Sequence, residues 1–354
     1  MRMIISAGLD RLAELLGRGE DWVLEKKHAL YGLAVSRILV GVAALGILLA
    51  NFGHRHALWG GASEWVEPLR RDSSWGFLYW IFDGGPTRFT LTYLLLMAVA
   101  IAVIVGWRTR ASVAVLVIGL VALVERNGLV GDQGDNIARV GLLLMLFMDT
   151  SRHWSLDARR RSRVNDADPL WRRWWNGGAV LPEWLSTVLH NVALIALALQ
   201  LFILYTASAL FKLQGTYWQD GTAIYYPLAL HEFGVFPWLN TLLTGNGLGV
   251  MIGTYVGVLV QLYFVIGLLH PVTRRIVLIG VVLLHGGIAV LMGLPWFSLS
   301  MLAFDAIFVS TATFIALDRW LKPRFANGTE ALRSRLPARL GGAKREEPAA
   351  QAVE

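Results

Sequence analysis

Cysteine is absent from the 354-residue sequence. Disulfides, thiolate metal sites, iron–sulfur clusters and cysteine nucleophiles are therefore excluded. Charge is scarce too: 16% of residues are Asp, Glu, Lys or Arg, against roughly 25% in a soluble domain. No hydrophilic stretch is long enough to fold as a domain of its own. His and carboxylate groups at metal-ligand spacing are lacking, so no metal is expected. The GNGLG at 245–249 is too loose for a phosphate loop. The first 16 residues, MRMIISAGLDRLAELL, are interrupted by Asp10, Arg11 and Glu14, which argues against a cleavable signal peptide.

What the chain does contain is apolar. Hydrophobic residues make up 55% of it, and tryptophan occupies 15 positions. They gather in runs near the length of about 20 residues that crosses roughly 30 Å of hydrocarbon. The sequence predicts an all-α polytopic membrane protein with about eight transmembrane helices. The spans fall near 32–51, 87–106, 111–130, 137–149, 186–211, 249–270, 275–294 and 296–316. Residues 1–28 form an N-terminal amphipathic helix, because Ile5, Leu9, Leu12 and Leu16 recur at helical spacing. It lies either in the cytoplasmic interface or packed on a loop. Residues 29–320 form the bundle, and 321–354 are a basic tail of disordered composition.

Orientation follows from the basic residues. Segments assigned to the cytoplasm carry 24 of the 32 Lys and Arg residues, and the outer segments carry six. That bias places both termini inside. The net charge of +7 then suits an anionic membrane surface. Membrane lipid is the expected partner, and nucleic acid is not.

Polar residues inside apolar runs need a reason, since each charge at a helix centre costs about 2.5–3.5 kcal/mol on insertion scales. Arg37 either snorkels to headgroups or pairs with an internal carboxylate. Arg139 faces Asp135 at i, i+4, either as a local ion pair or as part of a polar pocket at the outer surface. Lys212 ends a span, and an aromatic stretch with Tyr217, Trp218, Tyr225 and Tyr226 follows it. It either snorkels outward or sits in an apolar pocket, walled by Leu210, Phe211, Tyr217 and Trp218, that favours the neutral amine. Trp218, Asp220 and Gly221 are expected to form a turn packed on the bundle, with Gly221 at positive φ or a close approach. His285 lies mid-span beside two glycines that suit a close helix approach. It is either a packing histidine or a ligand. Gln261 and Asp305 are polar intruders without an assignable partner, and His270 before Pro271 is expected to cap a helix.

Two segments carry a family resemblance. FMDTSRHWSLDA at 147–158 and ALFKLQGTYWQDG at 209–221 resemble motifs of the horizontally transferred transmembrane domain (HTTM) superfamily, which includes the vitamin K-dependent gamma-glutamyl carboxylase. HGGIAVLMGLPWF at 285–297 is a weaker third match. The resemblance spans about residues 28–320. It implies a catalytic role for Lys212 as base, with His285 at a family histidine and Asn136 in the region of a supporting histidine. It further implies a reduced quinone of the vitamin K or menaquinone type, bound near Tyr217, Trp218 and Tyr225. Asp135, Arg139, Asp220 and Gly221 would line the substrate pocket. The chain lacks the carboxylase's large extramembrane domain and is more similar to short bacterial members, some of which mature a secreted peptide. The implied setting is a bacterial cytoplasmic membrane. The implied activity is carboxylase-like modification of an exported peptide or lipid, or alternatively a non-catalytic maturation or binding role.

Overall fold

The computed structural model describes residues 16–61, 75–165, 167–175, 177–178 and 180–320, together with Arg11 and Glu14. Residues 16–24 are helical. Ile5, Leu9 and Leu12 of the expected amphipathic helix, and the 321–354 tail, lie outside the described residues.

Among the described residues, eight helices build the bundle: α1 (Leu30–Ala50), α2 (Pro86–Val105), α3 (Thr109–Val124), α4 (Gln133–Met145), α5 (Glu183–Leu213), α6 (Gly247–Leu262), α7 (Pro271–Leu291) and α8 (Pro295–Asp305). Their starts are written in the sequence. Proline opens α2, α7 and α8, where a missing N–H costs nothing and φ is already set. Asp132 caps α4, its carboxylate accepting from the Gly134 and Asp135 amides while Asp135 returns a bond to the Asp132 amide. His270 caps α7, as the sequence suggested, by accepting from the Val272 amide.

Helix α1 lies between α2 and α8, and α8 also meets α4, α5 and α7. Their shared core holds Leu33, Val40, Leu48, Tyr93, Leu116, Ile137, Leu142 and Phe304. The outer surface is apolar as well. Val192, Ile195, Leu199 and Ile203 form an exposed stripe at helical spacing on α5, and Ile276, Ile279 and Leu283 do the same on α7. Water would not tolerate such stripes, but hydrocarbon does. Gly32 lets α1 approach the turn Ala306–Phe308 that follows α8, since a Cβ there would lie 2.5 Å from the Ala306 carbonyl oxygen.

Four helices, α1, α2, α5 and α7, are long and apolar enough to cross a membrane. The number rises to six if two broken pairs count as one span each: Pro237–Thr244 with α6, and Pro295–Phe308 with Thr311–Trp320. The eight expected spans are not all reached, because apolar runs outlast the helices within them. Helix α3 stops at Val124 and α4 has 13 residues, about 24 and 20 Å at 1.5 Å per residue. The expected 249–270 span breaks at Tyr263, and Pro237–Thr244 is bent 96° from α6. Ser310 opens a second compact unit in which Thr311–Trp320 is helical.

Arg37 neither snorkels nor pairs with a carboxylate. It is fully buried and donates to backbone carbonyls: Val103, Ile104 (2.6 Å), Thr150 (3.1 Å) and Trp154 (2.7 Å). Two of these are carbonyls of the last turn of α2, where helix bonding runs out; the Val103 carbonyl also accepts from the Gly106 amide at 3.1 Å. The guanidinium thus ties α1 to α2 and to the loop after α4. A second tie docks the chain start on α5. The Asn191 amide donates to the carbonyls of Trp22, Val23 and Lys26 and accepts from the His28 amide. His190 Nδ1 accepts from the Asp149 amide. Its Nε2 is therefore the protonated nitrogen and donates to the His28 carbonyl at 2.8 Å.

Candidate functional site

Tyr205, Ser208 and Lys212 share one face of α5 at i, i+3 and i+7, spanning about 10 Å of helix rise. That face looks onto α6 and α8. Lys212 Nζ donates to Ser208 Oγ at 2.6 Å and to Gln261 Oε1 at 2.7 Å, and lies 5.3 Å from the centre of the Trp218 ring. Ser208 also donates to Gln261 at 3.2 Å. The amine does not simply extend to the surface; it is held between α5, α6 and the turn that follows α5. Both oxygen partners are neutral, so they fix its direction without supplying a counter-charge.

Deeper along the same face, Tyr205 Oη donates to Asp305 Oδ2 at 2.8 Å. Asp305 Oδ1, Ser298 Oγ and both ring nitrogens of His285 are buried without a hydrogen-bond partner among the described residues. His285 is 2% exposed and within the electrostatic reach of Lys212. Its ring lies 6.4 Å from that of Tyr205 and 6.0 Å from that of Phe297. Unsatisfied buried polar atoms each cost about 1–3 kcal/mol, so this concentration in one region of an apolar bundle calls for a ligand or a proton. Gly286 and Gly287, expected to admit a neighbouring helix, instead face open space, with nothing within 4 Å of a Cβ at either.

The turn after Lys212 packs on α6. Gly221 has φ +73, and a Cβ there would meet Met251 and Tyr255 at 3.0 and 3.1 Å. Tyr255 Oη donates to the Gln219 carbonyl at 2.7 Å. Asp220 is exposed at the end of the short helix Thr216–Gln219. Leu210, Phe211 and Tyr217 are exposed rather than walls around Lys212; Trp218 alone of the four covers it. Tyr217 meets Tyr226 in a tilted contact, ring centres 4.3 Å apart, and Tyr225 meets Tyr226 edge-on at 5.7 Å.

Asn136 is engaged elsewhere. Its Oδ1 accepts from Arg139 at 2.9 Å, and Arg139 pairs with Glu125 at 2.8 Å. Asp135 serves the capping box, so the expected i, i+4 pair with Arg139 gives way to one between α4 and the end of α3. These residues border a cavity of about 290 Å³ with Asp132 and Asp135 on its rim. Gln261 was visible in the sequence only as an intruder, and Ser208 and Tyr205 carried no signal, because a serine and a tyrosine on an apolar helix are common. Among the described residues, no group of three or more metal-ligating side chains occurs.

The FMDTSRHWSLDA segment at the other end of α5 is a structural clasp. Asp157 accepts from the Arg108 amide (3.0 Å), the Thr109 amide (2.7 Å) and the Thr109 hydroxyl (2.8 Å), capping the start of α3. Ser155 caps the short helix Leu156–Arg161 by accepting from the Ala158 amide. Trp154 adopts φ +48, uncommon for a residue with a side chain, and turns its carbonyl to Arg37.

A family model, the HTTM domain, matches residues 26–312. The chain is also similar to the Sporulation-delaying protein SdpB of Bacillus subtilis (strain 168), with 25% identity over 206 residues. That match covers 56% of this chain and 57% of that protein, so the chain spans little more than half of the relative's length. No solved structure matches the chain.

Proposed function

The chain belongs to the HTTM domain family, and from that premise we propose that it modifies an exported peptide or lipid substrate with Lys212 as base and a reduced quinone as cofactor. The carrying observation is the fixed amine: Lys212 Nζ is bound by Ser208 and Gln261 under the Trp218 ring. A base must be aimed before it can take a proton efficiently, and two neutral acceptors aim this one. The orphaned polar atoms of His285, Ser298 and Asp305 fit a small molecule with hydroxyl and carbonyl oxygens, as does the Tyr217, Tyr225 and Tyr226 cluster with a flat ring. His285 and the Tyr217, Tyr225 and Tyr226 cluster would hold a reduced quinone, which would supply the two electrons that reduce oxygen and, with them, strongly basic oxygen. The protein's part is to receive a proton at Lys212 Nζ, to hold the amine with Ser208 and Gln261, to offer an imidazole nitrogen from His285, and to shield one side with Trp218. Asn136, Asp135, Arg139, Asp220 and Gly221 would border the substrate's approach. We place this face outside the bacterial cytoplasmic membrane and the Arg-rich face inside, following the bias of basic residues.

The second reading, a non-catalytic maturation or binding factor, has its own observation. The same Lys212 bonds brace α5 against α6, a purely structural use. Mass spectrometry of the peptide exported alongside this protein separates the two. Lys212→Arg keeps charge and bulk but cannot give up its proton. Under the enzymatic reading it abolishes the mass change while the protein stays in the membrane. Exported peptide and membrane lipids that both keep their masses, whether the gene is present or deleted, leave only the factor reading.

A further inference from the structure

A cavity lies at the opposite end of α5 from Lys212. It measures about 360 Å³ and sits among helix ends: the segment before α1, the start of α3, the loop after α4 and the start of α5. Six cationic side chains line it, Lys27, Arg108, Arg110, Arg152, Arg160 and Arg161. Three acidic groups oppose them, and two are already engaged. Asp157 is taken by the α3 amides and Arg160 (3.2 Å). Asp149 is shared between Lys27 at 3.8 Å and Arg161 at 3.7 Å. Glu183 stands at the first turn of α5.

The remaining cations, Arg108, Arg110 and Arg152, form no ion pair among the described residues. Arg110 and Arg152 are exposed and have no hydrogen bond or ion pair among the described residues. Arg108 Cζ lies over the Trp175 ring, 3.1 Å from its centre, and its buried Nε has no hydrogen-bond partner among the described residues. Burial lowers the Lys27 ammonium, and Arg110, Arg161 and Arg152 add to that against the pull of Asp149. Like charges gathered around a cavity repel one another, and an anion between them removes that cost.

The surroundings decide which anion. Trp107, Trp171, Trp175 and Trp184 are all exposed around this end of the bundle, with Val180 and Leu181 beside them. Exposed tryptophans at helix ends mark the headgroup level of a bilayer, and basic pockets there suit lipid phosphates. We propose that this cavity binds the phosphate of an anionic phospholipid headgroup, with Arg110 and Arg152 as its principal contacts and Arg108 held ready by Trp175. A soluble phosphate compound shares the chemistry but not the tryptophan collar. The proposal is independent of any role for Lys212.

The test uses the full chain in detergent, titrated with phosphatidylglycerol or phosphatidylcholine and read by native mass spectrometry. The parent is expected to prefer phosphatidylglycerol. The double variant Arg110→Gln/Arg152→Gln removes two exposed, unpaired charges and should weaken that binding roughly thirtyfold, since each cation near an anionic surface counts for about fivefold. Arg163→Gln/Arg172→Gln, which removes two charges outside the cavity, should keep the preference. Equal binding of the two lipids by the parent, or undiminished phosphatidylglycerol binding by the cavity variant, overturns the proposal. So does equal loss in the control variant. Inorganic phosphate, added in phosphatidylcholine, forms the other arm. If it alone raises the melting temperature of the parent and not of the cavity variant, the phosphate site stands and the lipid source is overturned.

Discussion

Replacing Arg37 with methionine tests the claim that a buried cation is held entirely by backbone carbonyls. The thioether fills much the same space but donates nothing, so the carbonyls of Val103, Ile104, Thr150 and Trp154 lose their partner in a site with no exposure. Hydrogen bonds to charged groups are worth about 1.5–3 kcal/mol each. Simple addition would give roughly 6–12 kcal/mol, which overstates the loss because the desolvation of the guanidinium, several kcal/mol, disappears with it. The Val103 carbonyl keeps the Gly106 amide as a donor at 3.1 Å, whereas the Ile104 carbonyl, in the last turn of α2, has no helix donor to fall back on. The net loss expected is therefore about 3–5 kcal/mol, the range for removing one partner of a buried charged pair. In a chain of this size that lowers the melting point by on the order of 10 °C. Arg37→Lys, with three donors on one nitrogen, should fall between. The assay is thermal unfolding of the detergent-solubilised protein, with Arg163→Met as an exposed control expected to melt with the parent. An Arg37→Met protein melting within about 2 °C of the parent would refute the carbonyl-clasp account.

Gly32→Ala places a methyl group 2.5 Å from a backbone oxygen that cannot rotate away, and should cost about 1–3 kcal/mol in the same melting assay; Gly286→Ala, with open space around it, should cost nothing measurable. Burial works to raise the Asp149 carboxyl, but Arg161, Lys27 and His190 outweigh it and hold it below its usual value. A depressed folded pKa gives stability that is complete above the unfolded value of about 3.9 and lost as pH falls through the folded one. Asp149→Asn should therefore lower the melting point at pH 7 and flatten its decline below about pH 4, and an unchanged acid profile would count against the cluster. Fusions at Arg163 and at Gly245 to a periplasmically active phosphatase should be inactive and active respectively, and the reverse pattern would invert the membrane orientation.

Hydropathy revealed the fold class because it is a sum over about 20 residues, which single errors do not upset. The helix count was less legible, since α3 ends in mid-run where Arg126 and the Asn127 turn take over, and α4 spans only 13 residues. Arg37 announced itself as an anomaly, but its partners are peptide carbonyls, which every residue carries, so no sequence pattern could name them. Arg139 invited a local partner at i−4 and found Glu125 on another helix. Gln261 meets Lys212 across 49 positions, a separation that no periodicity encodes. The turn at Gly221 was legible because a glycine after an aromatic run has few other reasons to be there.

The docking of Trp22–His28 on His190 and Asn191 has a consequence for biogenesis. These anchors sit in α5, more than 160 residues downstream of the segment they hold. While a ribosome is still threading α1 to α4 into the membrane, the carbonyls of Val23, Lys26 and His28 lack their α5 partners. The start of the protein is therefore fastened only once its middle has been made and inserted. A chain arrested before residue 183 would carry the Trp22–His28 segment unfastened, open to proteases and chaperones, whereas the finished protein holds its backbone to α5.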